Sequence, residues 1–301
     1  MSWHRPFGST ARDGWDVVVE PDASGWEHTG LYAGRLPDGD SRTLEAGHRE
    51  HVVVPLSGSV RVAAAGASGD HEATLAGRSS VFVGASDVAY VPAGSSLTVT
   101  AVGDAQVAVV FAVTETAEAR FPFRHVEAGE VPVELRGAGI ASREVRNFGI
   151  PGVLEADSII ACEVITPGGN WSSWPPHKHD EDRPGEEAAL EEIYYFGVAP
   201  SAGAPAAAAI DPIGYQRVYG TEHRPIDVLA EVRDGDVVLV PHGWHGPAMA
   251  APGYDLYSLT VMAGPGEERA WLICDDPAHG WVRDTWATQQ VDPRLPFGGV
   301  Q

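Results

Sequence analysis

Gly168-Gly-Asn-Trp-Ser-Ser-Trp-Pro-Pro-His-Lys-His-Asp180, followed by Glu191-Glu-Ile-Tyr-Tyr-Phe196, is the stretch on which the reading of this chain turns. His177 and His179 are separated by one residue, and side chains at i and i+2 of a β-strand share a face, so both imidazoles can aim at one point. Glu191-Glu192 opens an aromatic and β-branched run that reads as the next strand. Further on, Gly235-Asp-Val-Val-Leu-Val-Pro-His-Gly-Trp-His245 reads as a turn, an apolar strand and a Pro/Gly turn that presents another histidine. Two histidines, a carboxylate and a third histidine at strand ends give three nitrogens and one oxygen for a divalent metal. A lone His-x-His in a Pro-rich loop reads as well as solvated polar residues. The acidic pair and the Gly-x5-Pro-x-Gly-x-His segment, in that order, turn the reading towards a site.

Composition bounds what such a site can serve. At 301 residues the chain exceeds the size at which single cores divide, so two domains are expected. Hydrophobic content is 44%, and 35 Gly with 23 Pro favour many short strands and turns over long helices. The net charge of −22, from 20 basic and 42 acidic residues, suits neither nucleic acid nor an anionic membrane surface. It marks a well-solvated surface. Cys162 and Cys274 form no disulfide framework and have neither a nearby His nor a CxxC partner, so both read as structural thiols. The segment Met1-Ser-Trp-His-Arg-Pro-Phe7 has no apolar core of a signal peptide and no stretch nears 18 apolar residues, which points to a cytoplasmic protein.

Short strand-like runs with Pro/Gly turns fill both halves, and no convincing amphipathic helix interrupts them. The division is expected at a polar crossover, giving units at 1–135 and 136–301. In the second unit, 181–190 reads as an acidic insertion with one helical turn over the site, 202–209 as a low-complexity surface loop, and the tail from Pro277 as a wrapping segment. Edge strands and that tail point to a homo-oligomer. Asp87-Val-Ala-Tyr-Val-Pro-Ala-Gly94 echoes Gly235 to Gly243, so the chain reads as an internal duplication. The expected fold is all-β: a bicupin, two jelly-roll β-barrels in tandem. Ser95 and Ser96 follow Gly94 where the second half has histidine, and His48-Arg-Glu-His51 lacks the His-x-His pattern. The first barrel is therefore expected to be degenerate and metal-free.

Thr166-Pro-Gly-Gly-Asn-Trp-Ser-Ser-Trp-Pro-Pro-His-Lys-His-Asp180, Leu190-Glu-Glu-Ile-Tyr-Tyr-Phe196, Val240-Pro-His-Gly-Trp-His245 and Val261-Met-Ala-Gly-Pro-Gly266 together resemble the 5-deoxy-glucuronate isomerases of bacterial myo-inositol catabolism. That bicupin family is related to 5-keto-4-deoxyuronate isomerase. The resemblance covers most of the chain and is strongest from about Arg136 to Trp286. It implies an aldose–ketose isomerase that converts 5-deoxy-D-glucuronate to 5-dehydro-2-deoxy-D-gluconate. The implied ligands of one divalent ion (Zn, Mn or Fe) are His177, His179, Glu192 and His245, with Glu191 as the rival carboxylate. Strand parity with Tyr194 and Phe196 favours Glu192. Moving a proton from C2 to C1 through an enediolate needs a cation to hold the oxyanion and a general base. Glu191, Tyr194, Tyr257, His242 and Asp180 are the base candidates, although either tyrosine could simply pack in a barrel wall. Lys178 and Arg183 are candidates for the sugar acid's carboxylate, but alternation aims Lys178 away from the two histidines. The same ligand set suits a cupin Fe(II) dioxygenase, and a non-catalytic sugar-binding cupin is the third reading.

Overall fold

Alternation along single strands builds three separate cores. In the strand Glu191–Pro200, Tyr194, Phe196 and Val198 join one buried cluster while Ile193 and Tyr195 join another. In Arg49–Gly66, Val53, Val60 and Val62 face a third cluster while Val52, Val54 and Leu56 share the cluster of Ile193 and Tyr195. Each long strand thus has one face inside its own barrel and one against the other half. Fully burying a Val, Leu or Ile side chain contributes about 1.5–3 kcal/mol, so the seam between the halves is a core in its own right.

The computed structural model describes residues 2–298 apart from 23, 67–68, 205–208 and 267, so part of the Ala/Gly/Pro patch at 202–209 lies outside the described residues. In the first half an eight-stranded antiparallel sheet runs Val17–Val19, Thr29–Leu36, Ser95–Val113, Arg49–Gly66, Val88–Val91, Arg124–Val126, with Ser41–Leu44 and Gly69–Arg78 paired at its sides. The second half has two large sheets besides a two-stranded hairpin among the described residues. One runs His4–Arg5, Val237–Val240, Glu191–Pro200, Tyr254–Ala263, Ile160–Thr166, Arg143–Gly149, Val133–Arg136. The other runs Asp227–Val232, Gly214–Tyr219, Trp244–Ala250, His177–Lys178, Cys274–Asp275, with Trp171–Ser172 beside Trp244–Ala250. The division expected at 135/136 falls inside the strand Val133–Arg136, and His4–Arg5 pairs with Val237 and Val238 of the second half. Among the described residues no helix is long and apolar enough to cross a membrane.

Two buried carboxylates exchange partners across the seam. Glu50 accepts the backbone N–H groups of Asp157, Ser158 and Ile159 at 2.7, 2.6 and 2.7 Å, and the Tyr90 hydroxyl at 2.7 Å. Glu191 accepts those of Glu27, His28 and Thr29 at 3.0, 2.8 and 2.7 Å, with the Thr29 hydroxyl at 2.8 Å. Each carboxylate satisfies three consecutive amides at the entry to a strand of the other half. Register extends the match to the neighbouring positions: Glu192 lies opposite Val240 and Met262, as His51 lies opposite Val91 and Phe111. His51 therefore holds the place in the first barrel that Glu192 holds in the second.

The acidic insertion is a β-hairpin, Asp180–Arg183 with Glu187–Ala189, and not the expected helical turn. Its reason is Glu187, whose carboxylate takes the amides of Asp180 and Glu181 and the Lys178 ammonium, gathering donors that only a reversed chain brings together.

Candidate metal centre

Three strands converge on one point. His177 lies directly across from His245 of Trp244–Ala250, His179 follows two residues on, and Glu192 enters from Glu191–Pro200. All four side chains are buried. The rings of His177 and His245 have centroids 4.4 Å apart, and those of His179 and His245 4.6 Å, in edge-to-face arrangements. Each Nδ1 faces a backbone carbonyl: Pro175 at 3.5 Å, Leu190 at 3.1 Å and Gly243 at 3.2 Å for His177, His179 and His245. Donation from Nδ1–H to a carbonyl fixes the tautomer that leaves Nε2 a bare lone pair. Glu192 Oε2 lies 3.0 Å from His179 Nε2 and 3.1 Å from His245 Nε2, yet the His245 nitrogen is off the hydrogen-bond axis and has no partner.

The donor set fits a divalent cation. Adjacent ligands each about 2.1 Å from an ion stand about 3.0 Å apart at octahedral angles and about 3.4 Å at tetrahedral ones, close to the 3.0 and 3.1 Å spacings around Glu192 Oε2. The three imidazoles place ligand atoms within 4.8 Å of one another. Burial, then the neighbouring His245 and His179, pushes His177 well below the ordinary histidine value, so it is held neutral, as a ligand must be. Burial works to raise Glu192, but the hydrogen bond from His179 and the charges of His245 and His179 outweigh it and bring the carboxyl down to about 2. Burial likewise works to lower His179, and the Glu192 hydrogen bond and charge reverse the direction.

Beside the cluster opens a cavity of about 480 Å³, lined by His177, Glu192 and Tyr194 at one side and by Arg136, Arg143 and Arg283 elsewhere. Its volume lies within the usual range for small-molecule sites. The Tyr194 hydroxyl is 3.3 Å from Ser173 Oγ, and its ring centroid is 6.1 Å from that of His245. Burial, reinforced by the Glu192 charge, keeps its phenol protonated far past the usual tyrosine range. Cys162 also borders the cavity, but burial raises its thiol to about 12, so it is no nucleophile there.

Several expected site residues are elsewhere. Glu191 points into the seam, where its carboxylate is engaged by the amides of the 27–29 segment, and it does not line the cavity. Tyr257 also faces the seam. Its hydroxyl donates to Glu163 at 2.7 Å, beside the buried ion pair of Glu163 with Arg78. His242 sits half-buried in the turn before Trp244–Ala250, near Arg224 and Asp180, and does not line the cavity. Asp180 is bound by Lys178 at 2.6 Å and by the Gly243 amide at 2.9 Å. Lys178 does point away from the histidines: its ammonium meets Asp180, Glu187 at 2.8 Å and Glu181 at 3.2 Å, which leaves it no charge for a substrate. Arg183 is held by Glu187 and Glu186 of the same hairpin and by Cys274 of the strand Cys274–Asp275. Sequence reasoning missed Ser173, Arg143 and the tail residue Trp286 at the cavity. Nothing in their spacing singles them out; only the fold brings them to the cluster.

The chain matches the KduI/IolB family over residues 3–282. It belongs to that family. A relative from Geobacillus kaustophilus (strain HTA426), named 5-deoxy-glucuronate isomerase, is 39% identical over 281 residues, covering 93% of this chain and 95% of its own. The crystal structure of an IolB-like protein of Salmonella typhimurium LT2 superposes with a TM-score of 0.80 at 33% identity, over 93% of this chain and 98% of that one. An oxalate decarboxylase from Lactobacillus farciminis shares the fold alone, with a TM-score of 0.57 at 13% identity over 82% of this chain and 79% of that one. The all-β architecture of this KduI/IolB family member is thus the one seen in cupin enzymes.

Proposed function

We propose that this protein is an aldose–ketose isomerase that converts 5-deoxy-D-glucuronate to 5-dehydro-2-deoxy-D-gluconate. Family membership supports the reaction, and three imidazoles gathered around Glu192, beside a substrate-sized cavity that His177 and Glu192 line, carry the reading. His177, His179, Glu192 and His245 would hold one divalent ion, with Zn, Mn and Fe all suited to the donor set. Such an ion supplies polarisation of the carbonyl and stabilisation of the oxygen charge that develops as the C2–H is lost.

The chain's own groups orient the imidazoles, donate to a substrate oxygen and keep water from the reacting carbons. Carbonyls of Pro175, Leu190 and Gly243 orient the imidazoles before substrate arrives. Tyr194, the one sequence-derived catalytic candidate that lines the cavity, stays protonated and acts as hydrogen-bond donor to a substrate oxygen, its hydroxyl placed by Ser173. Trp271, Ile273 and Leu135 form an apolar part of the wall that limits water around the reacting carbons. The first barrel acts as a scaffold for the second.

The reaction needs no nicotinamide, oxygen or second substrate. Metal-replete protein incubated anaerobically with 5-deoxy-D-glucuronate in D2O should give the 2-deoxy-5-keto acid, with solvent deuterium at the new hydroxymethyl carbon, C1 of the substrate and C6 of the product. No conversion, with oxygen uptake once air is admitted, would assign the protein to the dioxygenases instead.

A further inference from the structure

The strand pair that walls the cavity carries an electrostatic mismatch. Val133–Arg136 and Arg143–Gly149 are antiparallel, and their register sets Arg136 directly opposite Arg143. Like charges in that relation destabilise a sheet. Arg283 adds a third guanidinium from the C-terminal segment: both Arg143 and Arg283 lie over the Trp286 ring, 5.6 and 5.2 Å from its centroid. Two of the three are neutralised locally, Arg136 by Glu134 at 2.8 Å and Arg283 by Asp275. Arg143 is not. It is 7% exposed, donates to the Ala141 carbonyl at 3.0 Å, and has no carboxylate partner among the described residues. Burial first, then the charges of Arg136 and Arg283, lower its pKa to about 9, which reports the same uncompensated positive field. In a chain of net charge −22, a buried guanidinium without an anion is an unfilled position.

The same cavity holds Arg143 together with His177, Glu192 and Tyr194. A guanidinium fork matches a carboxylate in two parallel hydrogen bonds. We propose that Arg143 binds the carboxylate of the sugar acid, with Arg136 and Arg283 beside it, and so presents the aldehyde end to the histidine cluster. Arg143 is then the residue that selects an acid over the neutral sugar, in place of the Lys178 and Arg183 that the sequence suggests. The identity of the acid rests on the isomerase reading; the recognition of a carboxylate does not.

Two sugar pairs that differ only at C6 test it. By calorimetry on metal-loaded protein, D-glucuronate should bind more tightly than D-glucose, and Arg143→Met should remove that preference with metal content unchanged. In turnover, Arg143→Met should raise KM for 5-deoxy-D-glucuronate by about 10- to 100-fold, the range for losing a charged hydrogen-bond pair. It should leave KM for 5-deoxy-D-glucose nearly unchanged. Should Arg143→Met fail to fold, Arg143→Lys decides: it keeps the charge but loses the fork, so a weaker preference supports the assignment and an unchanged one overturns it. Equal binding of D-glucuronate and D-glucose by the unmutated protein, or full preference in a folded Arg143→Met, also overturns it. Failure of the isomerase reading shows separately, as absence of turnover in the unmutated protein while the calorimetric preference persists.

Discussion

A single nitrogen separates a metal site from an ordinary polar cluster here. His245 Nε2 is buried, 3.1 Å from Glu192 Oε2 and without a hydrogen bond, an arrangement that an ion would satisfy and that nothing else among the described residues does. Purified protein should therefore carry about one divalent ion per chain, and a His177→Ala, His179→Ala variant should lose nearly all of it by elemental analysis. Stoichiometric metal in that variant would sink the assignment. His51 gives a contrasting case, a buried histidine whose pKa burial, aided by Arg49, lowers to about 3. The unfolded chain takes up this proton below about pH 6.5 while the native chain refuses it until about pH 3, so stability falls as pH drops through that window. Metal-free His51→Leu protein should lose up to about 1.4 kcal/mol per pH unit less than wild type on acidification, read from denaturation midpoints between pH 7 and 5. Identical slopes would mean that His51 titrates in the fold as it does in the unfolded chain. That Glu192 and not Glu191 faces the histidines was legible because strand parity is a local property. Arg143 was not, since a lone arginine reveals its missing partner only once the sheet sets Arg136 opposite it.

At the scale of elements, the strand Trp244–Ala250 does most to shape the site. It pairs with His177–Lys178, Gly214–Tyr219 and Trp171–Ser172, and carries His245 next to Gly246. Gly246 has φ +107, and a Cβ there would stand 1.8 Å from the Ser173 carbonyl oxygen. Gly246→Ala should destabilise the fold by about 1–3 kcal/mol. It should also displace Ser173 and with it the hydroxyl facing Tyr194, lowering kcat further than a comparably destabilising change remote from the site. Equal kcat at matched stability would refute this coupling. Tyr194→Phe, which keeps the ring and removes the donor, should lower kcat about 100-fold with metal content intact. Strands of this kind could be read from the sequence because alternation and Pro/Gly turns are local. The hairpin at 180–189 could not: Glu-Glu-Ala-Ala-Leu has good helix propensity, but the capture of Lys178 and two amides by Glu187 overrides it.

For the molecule as a whole, the duplication visible in Val-Pro-x-Gly gives two barrels, and the exchanged carboxylates join them. Glu50→Ala would strand three amides and the Tyr90 hydroxyl at a buried seam. A loss of about 3–5 kcal/mol is expected, with a lower Tm but near-normal turnover in the molecules that remain folded. A Tm within a degree of wild type would show that water replaces the clasp without cost. The repeat could be read because it is written twice along the chain, whereas the clasp links positions far apart in sequence that share no pattern. Its reciprocity also bears on how the polypeptide is made. A ribosome adding about 5–20 residues per second delivers Glu50 on the order of ten seconds before Asp157, Ser158 and Ile159. The amides of Glu27, His28 and Thr29 wait longer still for Glu191. The half synthesised first emerges with a carboxylate and three amides unsatisfied, while the half synthesised second meets partners already in place, so vectorial synthesis makes the earlier barrel the template on which the later one closes.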